Sequence, residues 1–260
     1  MRKPIFDIIR AERGKGFTAE EVAAIDAVLE RLGIAPDSGA PDNAAPVPTM
    51  PDSAVEAAIG AAGLNNPQVF FSSTRESGVF GGPLKPDHVM GLEAVLGAAK
   101  AAGWPIAFTA YALATALHET AYTMQPVREA FWLNENWRRN NLRYFPFYGR
   151  GYVQLTWKAN YEKADQELQL SGRLTNNLDL ALDPDIAARI MIKGMTEGWF
   201  AGDKKGRRHT LARHLPADGS GNVVQFASAR RIINGTDKAG KIAGEAIKFQ
   251  TALQAGGWQA

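Results

Sequence analysis

Three short stretches of the 260-residue chain carry side chains that could do chemistry. The first is His118-Glu119-Thr120, at the end of a long run of apolar residues with helical spacing. A carboxylate there is partly withdrawn from water, and desolvation raises the pKa of a carboxyl group. A general acid working near neutral pH needs that. The second is Glu129, within Val127-Arg-Glu-Ala130. The third is Tyr148-Gly-Arg-Gly-Tyr-Val-Gln-Leu-Thr-Trp157, in which Gln154 and Thr156 are polar groups beside a Gly-rich turn. Two carboxylates flanking a cleft, with a hydroxyl to hold water, are the minimum apparatus for hydrolysing a glycosidic bond. From the residues alone a plain structural reading is equally open. Glu119 would then be a solvated glutamate on a polar helix face, and Glu129 a partner of Arg128 or Arg138.

The elements that would position these groups follow from pattern. Ten helical residues turn through about 1000°, so Glu119 and Glu129 cannot share a face of one helix. The apolar helix expected over Phe108–Met124 stops before Pro126, because the residue preceding a proline disfavours the α region. The chain must therefore fold back after Met124 and place Glu129 on a loop or a new element. Further helices are expected at Asn160–Leu170, Pro184–Phe200 (opened by Asp183), Val223–Ile233 and Ala239–Leu253. Only Tyr148–Trp157 reads as strand, in a small hairpin. The fold class is mainly α with a minor β element.

Composition sets the limits. Apolar residues at 45% and charged residues at 22% are those of a globular chain. Cysteine is absent, which excludes disulfides, thiolate catalysis and thiolate metal sites. His209 and His214 lie in a basic stretch with too few carboxylates to complete a metal site. Gly149-Arg-Gly151 is too short to cradle a phosphate. Neither a metal, a cofactor nor a nucleic acid is called for. Residues 1–60 carry 6 Lys and Arg against 10 Asp and Glu, whereas the remaining 200 carry 23 against 17. The larger part is thus mildly basic and favours encounter with an anionic polymer.

Five prolines between Ala35 and Asp52 mark a semi-extended linker. Before it, Thr18 with Glu21 forms a capping box ahead of Val22, Ile25, Val28, Leu29 and Leu32, and Gly33 stops that helix. Phe17–Leu29 has an echo in Leu84–Leu96. The expected organisation is a small N-terminal helical module over 1–34, a linker over 35–52 and a catalytic domain over 53–260. Charged residues interrupt the N-terminus, so no signal peptide is expected. The longest uncharged run, Ala101–Leu117, contains Gly103 and Pro105 and reads as buried core rather than a membrane span. The protein is expected to be made in the cytoplasm and let out by something else.

Ala116-Leu-His-Glu-Thr120, the stretch Tyr148–Tyr161 and Arg231-Ile-Ile-Asn-Gly235, in that order, resemble the family 19 glycoside hydrolases. This is the chitinase and phage-endolysin superfamily, and the resemblance covers roughly Pro67 to Gln254. Met124-Gln-Pro126, Arg128-Glu129 and Asn141-Leu-Arg-Tyr144 are similar to the phage and prophage branch. The resemblance implies a lysozyme-like α+β domain with Glu119 as general acid and Thr156 holding the attacking water. Glu129 is the preferred general base, with Glu135 as the alternative. His118, Tyr148, Arg150, Gln154, Asn160 and Asn234 are implied on the substrate side, and some of Trp132, Tyr144 and Tyr148 should reach the cleft. The family is inverting, which places its carboxyl groups about 6.5–9.5 Å apart. The substrate implied is the glycan strand of bacterial peptidoglycan, cut at the N-acetylmuramyl bond by a monomer that a holin releases. Chitin hydrolysis, lytic transglycosylation by one glutamate and non-catalytic wall binding are the rivals.

Overall fold

The computed structural model describes residues 63–260. The N-terminal module of 1–34, the linker of 35–52 and the first residues of the expected catalytic domain lie outside the described residues. Helices α1 (Pro67–Glu76), α2 (Pro86–Ala101) and α3 (Ile106–Glu119) come first. Strand β1 (Val127–Arg128), helix α4 (Glu135–Asn141) and strand β2 (Arg150–Gly151) follow. Next are α5 (Lys158–Glu167), α6 (Arg173–Asn176), a 3-10 turn over Leu178–Leu182 and α7 (Pro184–Glu197). Then come α8 (Leu211–His214), α9 (Val223–Ala229) running into a 3-10 turn over Arg230–Ile232, and α10 (Ala239–Ala255). The described residues are mainly helical, with one two-stranded antiparallel sheet.

Every residue of α3 from Ala107 to Leu117 is buried. A helix that is apolar all round belongs in the middle of a fold. Five alanines among those residues leave room for α10 to lie close, and α10 presses Ile242, Ala246, Phe249 and Leu253 into the same core. Helix α10 also packs on α1 and α9, and α2 packs on α7. The Tyr111 hydroxyl, buried inside α3, donates to the Ala229 carbonyl at 2.9 Å and ties the core helix to the end of α9.

Helix α3 ends at Glu119, five residues before the Met124 that apolar pattern alone suggested. The Thr120 hydroxyl donates to the Ala116 carbonyl (2.7 Å) and accepts from the Met124 N–H (3.0 Å). Ala121, Tyr122 and Met124 take left-handed φ values of 50, 66 and 53°. The chain thus reverses at once. Buried Met124 lies against α2 where Gly91 stands, and a Cβ on Gly91 would come within 1.8 Å of the Met124 carbonyl oxygen. That approach requires glycine.

Strand β1 then pairs with β2, Val127 opposite Gly151 and Arg128 opposite Arg150. The hairpin expected within 148–157 is closed by reciprocal backbone hydrogen bonds between Arg150 and Leu155 (3.2 and 2.8 Å). Its ladder partner, however, is Val127–Arg128, two residues too few to register as a strand by pattern. Asp183 caps α7 through the Ile186 N–H (3.1 Å) with Pro184 in the first turn, as expected. That helix stops at Gly198 (φ 71°) rather than Phe200, and Val223–Ile233 tightens into 3-10 geometry after Ala229.

His209 and His214 pair with each other. The His209 Nδ1 lies 2.9 Å from the His214 Nε2, and the His214 Nδ1 lies 2.9 Å from the Ser228 Oγ on α9. Burial, reinforced by His209 and by the Arg213 and Arg231 guanidiniums, pushes the His214 pKa down to about 4, and burial and Arg213 also lower that of His209. A histidine kept neutral in the folded state binds its proton more readily when unfolded. Its contribution is therefore full above about pH 6.5 and is lost as pH falls toward 4. The melting temperature should drop more steeply between pH 7 and 4.5 for the wild type than for His214→Asn. Parallel slopes would show that this pair does not set the acid limit of the fold.

Candidate active site

Strand β1 delivers Glu129 to the tip of the small sheet. Its N–H donates to the Gly149 carbonyl at 2.7 Å. Its carboxylate accepts from the Tyr144 hydroxyl (Oε1, 2.6 Å) and from the Gly149 N–H (Oε2, 3.0 Å). Burial and that bond to Glu129 push the Tyr144 pKa up to about 12. The loop beyond is gathered by buried Arg138, which donates to the carbonyls of Glu129 (2.8 Å), Ala130 (3.0 Å) and Leu133 (2.6 Å). Arg138 thus holds Glu129 by its backbone and does not pair with its carboxylate, while Arg128 pairs with Asp179 at 2.6 Å. Glu135, the alternative base, is bonded by Arg138 (3.1 Å) and the Tyr148 hydroxyl (2.9 Å). It lines a separate cavity of about 720 Å³ beside Arg128, Arg150 and Asp179.

Glu119 is the last residue of α3, and its side chain is 15% exposed. Its Oε1 accepts from the Nη1 of Arg230, a buried guanidinium whose Nε donates to the Asp237 carbonyl at 2.9 Å. A buried cation thus faces this carboxylate, a partner that the sequence did not lead one to expect. Arg230 was not singled out from sequence, and its only signal was its place directly before Arg231-Ile-Ile-Asn-Gly235. Removing one partner of such a pair strands the other charge in the interior, at a cost of about 3–5 kcal/mol.

Glu119, Glu129, Gln154, Thr156, Asn160 and Asn234 line one cleft of about 510 Å³, joined by Arg143, Tyr144, Trp157 and Phe200. The Thr156 hydroxyl donates to the Gln154 carbonyl (2.7 Å), which leaves its lone pairs to accept from water. Asn160 holds the Thr156 carbonyl at 2.8 Å. The Gln154 amide staples the sheet by donating to the carbonyls of Val127 (3.1 Å) and Gly151 (3.2 Å). Gln154 and Trp157 both adopt left-handed φ values, 51 and 76°, a conformation that non-glycine residues seldom take and that marks constrained sites.

His118, Tyr148 and Arg150 lie outside this cleft. The His118 Nδ1 is buried without a hydrogen-bond partner among the described residues, and burial lowers its pKa. Tyr148 and Arg150 are buried and stacked, the guanidinium 3.8 Å from the ring centroid. Arg150 donates to Asp179 (2.9 Å), the Pro146 carbonyl (3.0 Å) and the Tyr161 hydroxyl (3.0 Å), and so frames the sheet from behind. Of the aromatics expected at the cleft, Tyr144 reaches it, Tyr148 is buried and Trp132 is exposed elsewhere. Among the described residues no group of three or more His, Asp or Glu is arranged to hold a metal ion.

Gly149 sits beneath the Glu129 carboxylate. A Cβ there would come within 2.7 Å of the Gln154 Oε1 and 3.2 Å of the Glu129 Oε2. Gly149→Ala should therefore keep the fold but displace both groups, and any turnover that depends on them should fall by about 10²-fold, as for a misplacement near 1 Å. Wild-type turnover by the folded variant would contradict this placement of Glu129.

No protein-family model matches the chain. Curated relatives do. An acidic endochitinase of Solanum chilense is 39% identical over 98 residues, 34% of this chain and 36% of that protein. Chitinase 11 of Oryza sativa subsp. japonica is 35% identical over 105 residues, 37% of this chain and 38% of its own length. An acidic 26 kDa endochitinase of Solanum lycopersicum is 35% identical over 103 residues, 36% of this chain and 38% of its own length. The chain thus spans little more than a third of the curated relatives that it matches. Among solved structures, chitinase C from Streptomyces griseus aligns over 74% of this chain and 78% of its own, at 20% identity and a TM-score of 0.46. Over the stretch shared with the plant proteins, about a third of its length, the chain is similar in sequence to chitinases.

Proposed function

We propose that this protein hydrolyses β-1,4 glycosidic bonds of an N-acetylated glycan by general acid and base catalysis. The observation that carries the reading is the convergence of Glu119, Glu129 and Thr156 on one cleft from three separate segments of the chain. Glu119 donates a proton to the glycosidic oxygen as the bond to the anomeric carbon breaks. Arg230 grips its Oε1, which leaves Oε2 for the leaving group. Glu129, fixed by Tyr144 and the Gly149 N–H, takes a proton from the water that attacks the anomeric carbon. Thr156 orients that water. The products are two shorter glycans, and one water is consumed.

The polymer we propose is bacterial peptidoglycan, on the strength of the motif likeness to phage and prophage lysozyme-like proteins around Met124–Tyr144. Synthesis in the cytoplasm and release through a separate holin are part of that proposal. No helix of the described residues is long and apolar enough to cross a membrane. Chitin is the second reading, favoured by the names of the plant relatives.

Product release from purified sacculi and from soluble chitin oligomers separates these substrates. Glu119→Gln and Glu129→Gln should each lose at least 10²–10⁴-fold in turnover with the fold intact, because the amide neither gives nor takes the proton. Glu135→Gln should stay within a few-fold of wild type, and Thr156→Val should fall between. Near-normal turnover in a folded Glu119→Gln protein would sink the acid assignment, and an inactive Glu135→Gln beside an active Glu129→Gln would move the base.

A further inference from the structure

The cleft contains one charged side chain for which the hydrolytic chemistry has no use. Arg143 is exposed on its wall, and its guanidinium lies 5.2 Å from the ring centroid of Trp157, itself 45% exposed. The neighbouring arginines are engaged: Arg128 and Arg150 with Asp179, Arg138 with Glu135, and Arg230 with Glu119. Among the described residues no carboxylate pairs with Arg143 and no hydrogen bond engages it. A guanidinium stacked on an indole is held in orientation by its face, while the N–H groups on its edge remain free to donate. In a site for a neutral sugar such a cation would have only neutral acceptors to meet. A carboxylate would take it as a bidentate, charge-assisted pair, roughly twice as strong as a neutral hydrogen bond.

We propose that Arg143 is the specificity determinant of this cleft and selects glycans that carry carboxylates over neutral ones. Resting on the glycan-hydrolase reading, this names the substrate class: a β-1,4 strand with a carboxylate-bearing substituent on alternate sugars, such as the lactyl group of muramic acid where it is free or the acidic stem peptide where it is amide-linked, in preference to chitin. Two further features agree. Arg139, exposed and four residues before Arg143, lies 5.1 Å from the Phe145 ring centroid with no acid partner among the described residues, a second cation on an aromatic face in the same segment. The excess of 23 Lys and Arg over 17 Asp and Glu in residues 61–260 draws an anionic polymer toward the domain.

The test uses the full chain and two probes. One is peptidoglycan glycan stripped of its stem peptides by an amidase, which leaves a free lactyl carboxylate on each muramic residue. The other is neutral N-acetylglucosamine oligomers of matched length. Calorimetric binding and kcat/KM are measured for wild type, Arg143→Gln and Arg143→Lys. Wild type should bind the anionic strand more tightly, with an affinity that falls as salt rises. Arg143→Gln should lose about tenfold in affinity and kcat/KM on the anionic strand, mainly through KM, and stay within twofold on the neutral one. Arg143→Lys should recover part of the loss. Equal losses on both probes, no loss on the anionic one, or no preference by wild type would overturn the assignment. Preferential binding that depends on Arg143, with cleavage of neither probe, would leave the assignment standing and remove the hydrolytic reading.

Discussion

Two carboxylates ten residues apart can face one cleft only when the helix that carries the first is stopped immediately and the chain turned back. Thr120 does the stopping, because its hydroxyl takes over the carbonyl and the N–H that another helical turn would have used. Three left-handed residues then reverse the chain, and their strain must be held from outside. Two contacts hold it. The Tyr122 hydroxyl donates to Glu245 on α10, whose pKa burial raises, and Met124 seats against the bare backbone of Gly91 on α2. Glu119 and Glu129 depend on this reversal more than on any contact inside the cleft.

The charged groups divide into frame and cleft. Arg138 and Arg150, both buried, donate to carbonyls and carboxylates on either side of the small sheet, and hydrogen bonds to charged groups are each worth about 1.5–3 kcal/mol. They fix the loop after Glu129 and the turn before Thr156 without entering the cleft. Asp179 and Glu135 complete that frame, which is why the second cavity, though polar, is lined by groups already paired with one another. In the cleft the groups are anchored at one end and open at the other. Glu119 is held by Arg230, Glu129 by Tyr144 and Gly149, and Thr156 by its bond to Gln154. Such one-sided anchoring gives fixed geometry together with a free face for a substrate.

Much of this was legible in the sequence where a local rule was strong. The alanine-rich core helix, the Asp183 cap with Pro184 and the need for a fold-back before Glu129 follow from periodicity and proline sterics. What escaped was decided by contacts between distant segments. The end of α3 depends on a threonine hydroxyl that reads as another tolerable helix residue. Val127–Arg128 is too short to betray a strand without its partner. Arg230 sits 111 residues from Glu119, and nothing local in the sequence marks the pairing. Tyr148 and Arg150 fall within the motif but face the frame, because a strand sends alternate side chains to opposite sides and the motif does not say which side is open. The module of 1–34 and the linker lie outside the described residues.

The central claim is that Glu119 and Glu129 act together across one cleft on a bound water. The configuration at the anomeric carbon of the newly formed reducing end tests it most directly. Proton NMR during the first minutes of hydrolysis of a β-1,4 oligomer should show the α-anomer forming first and then mutarotating, because water attacks from the face opposite the leaving group. Initial appearance of the β-anomer, or of an anhydro-sugar end with no water consumed, would contradict the account.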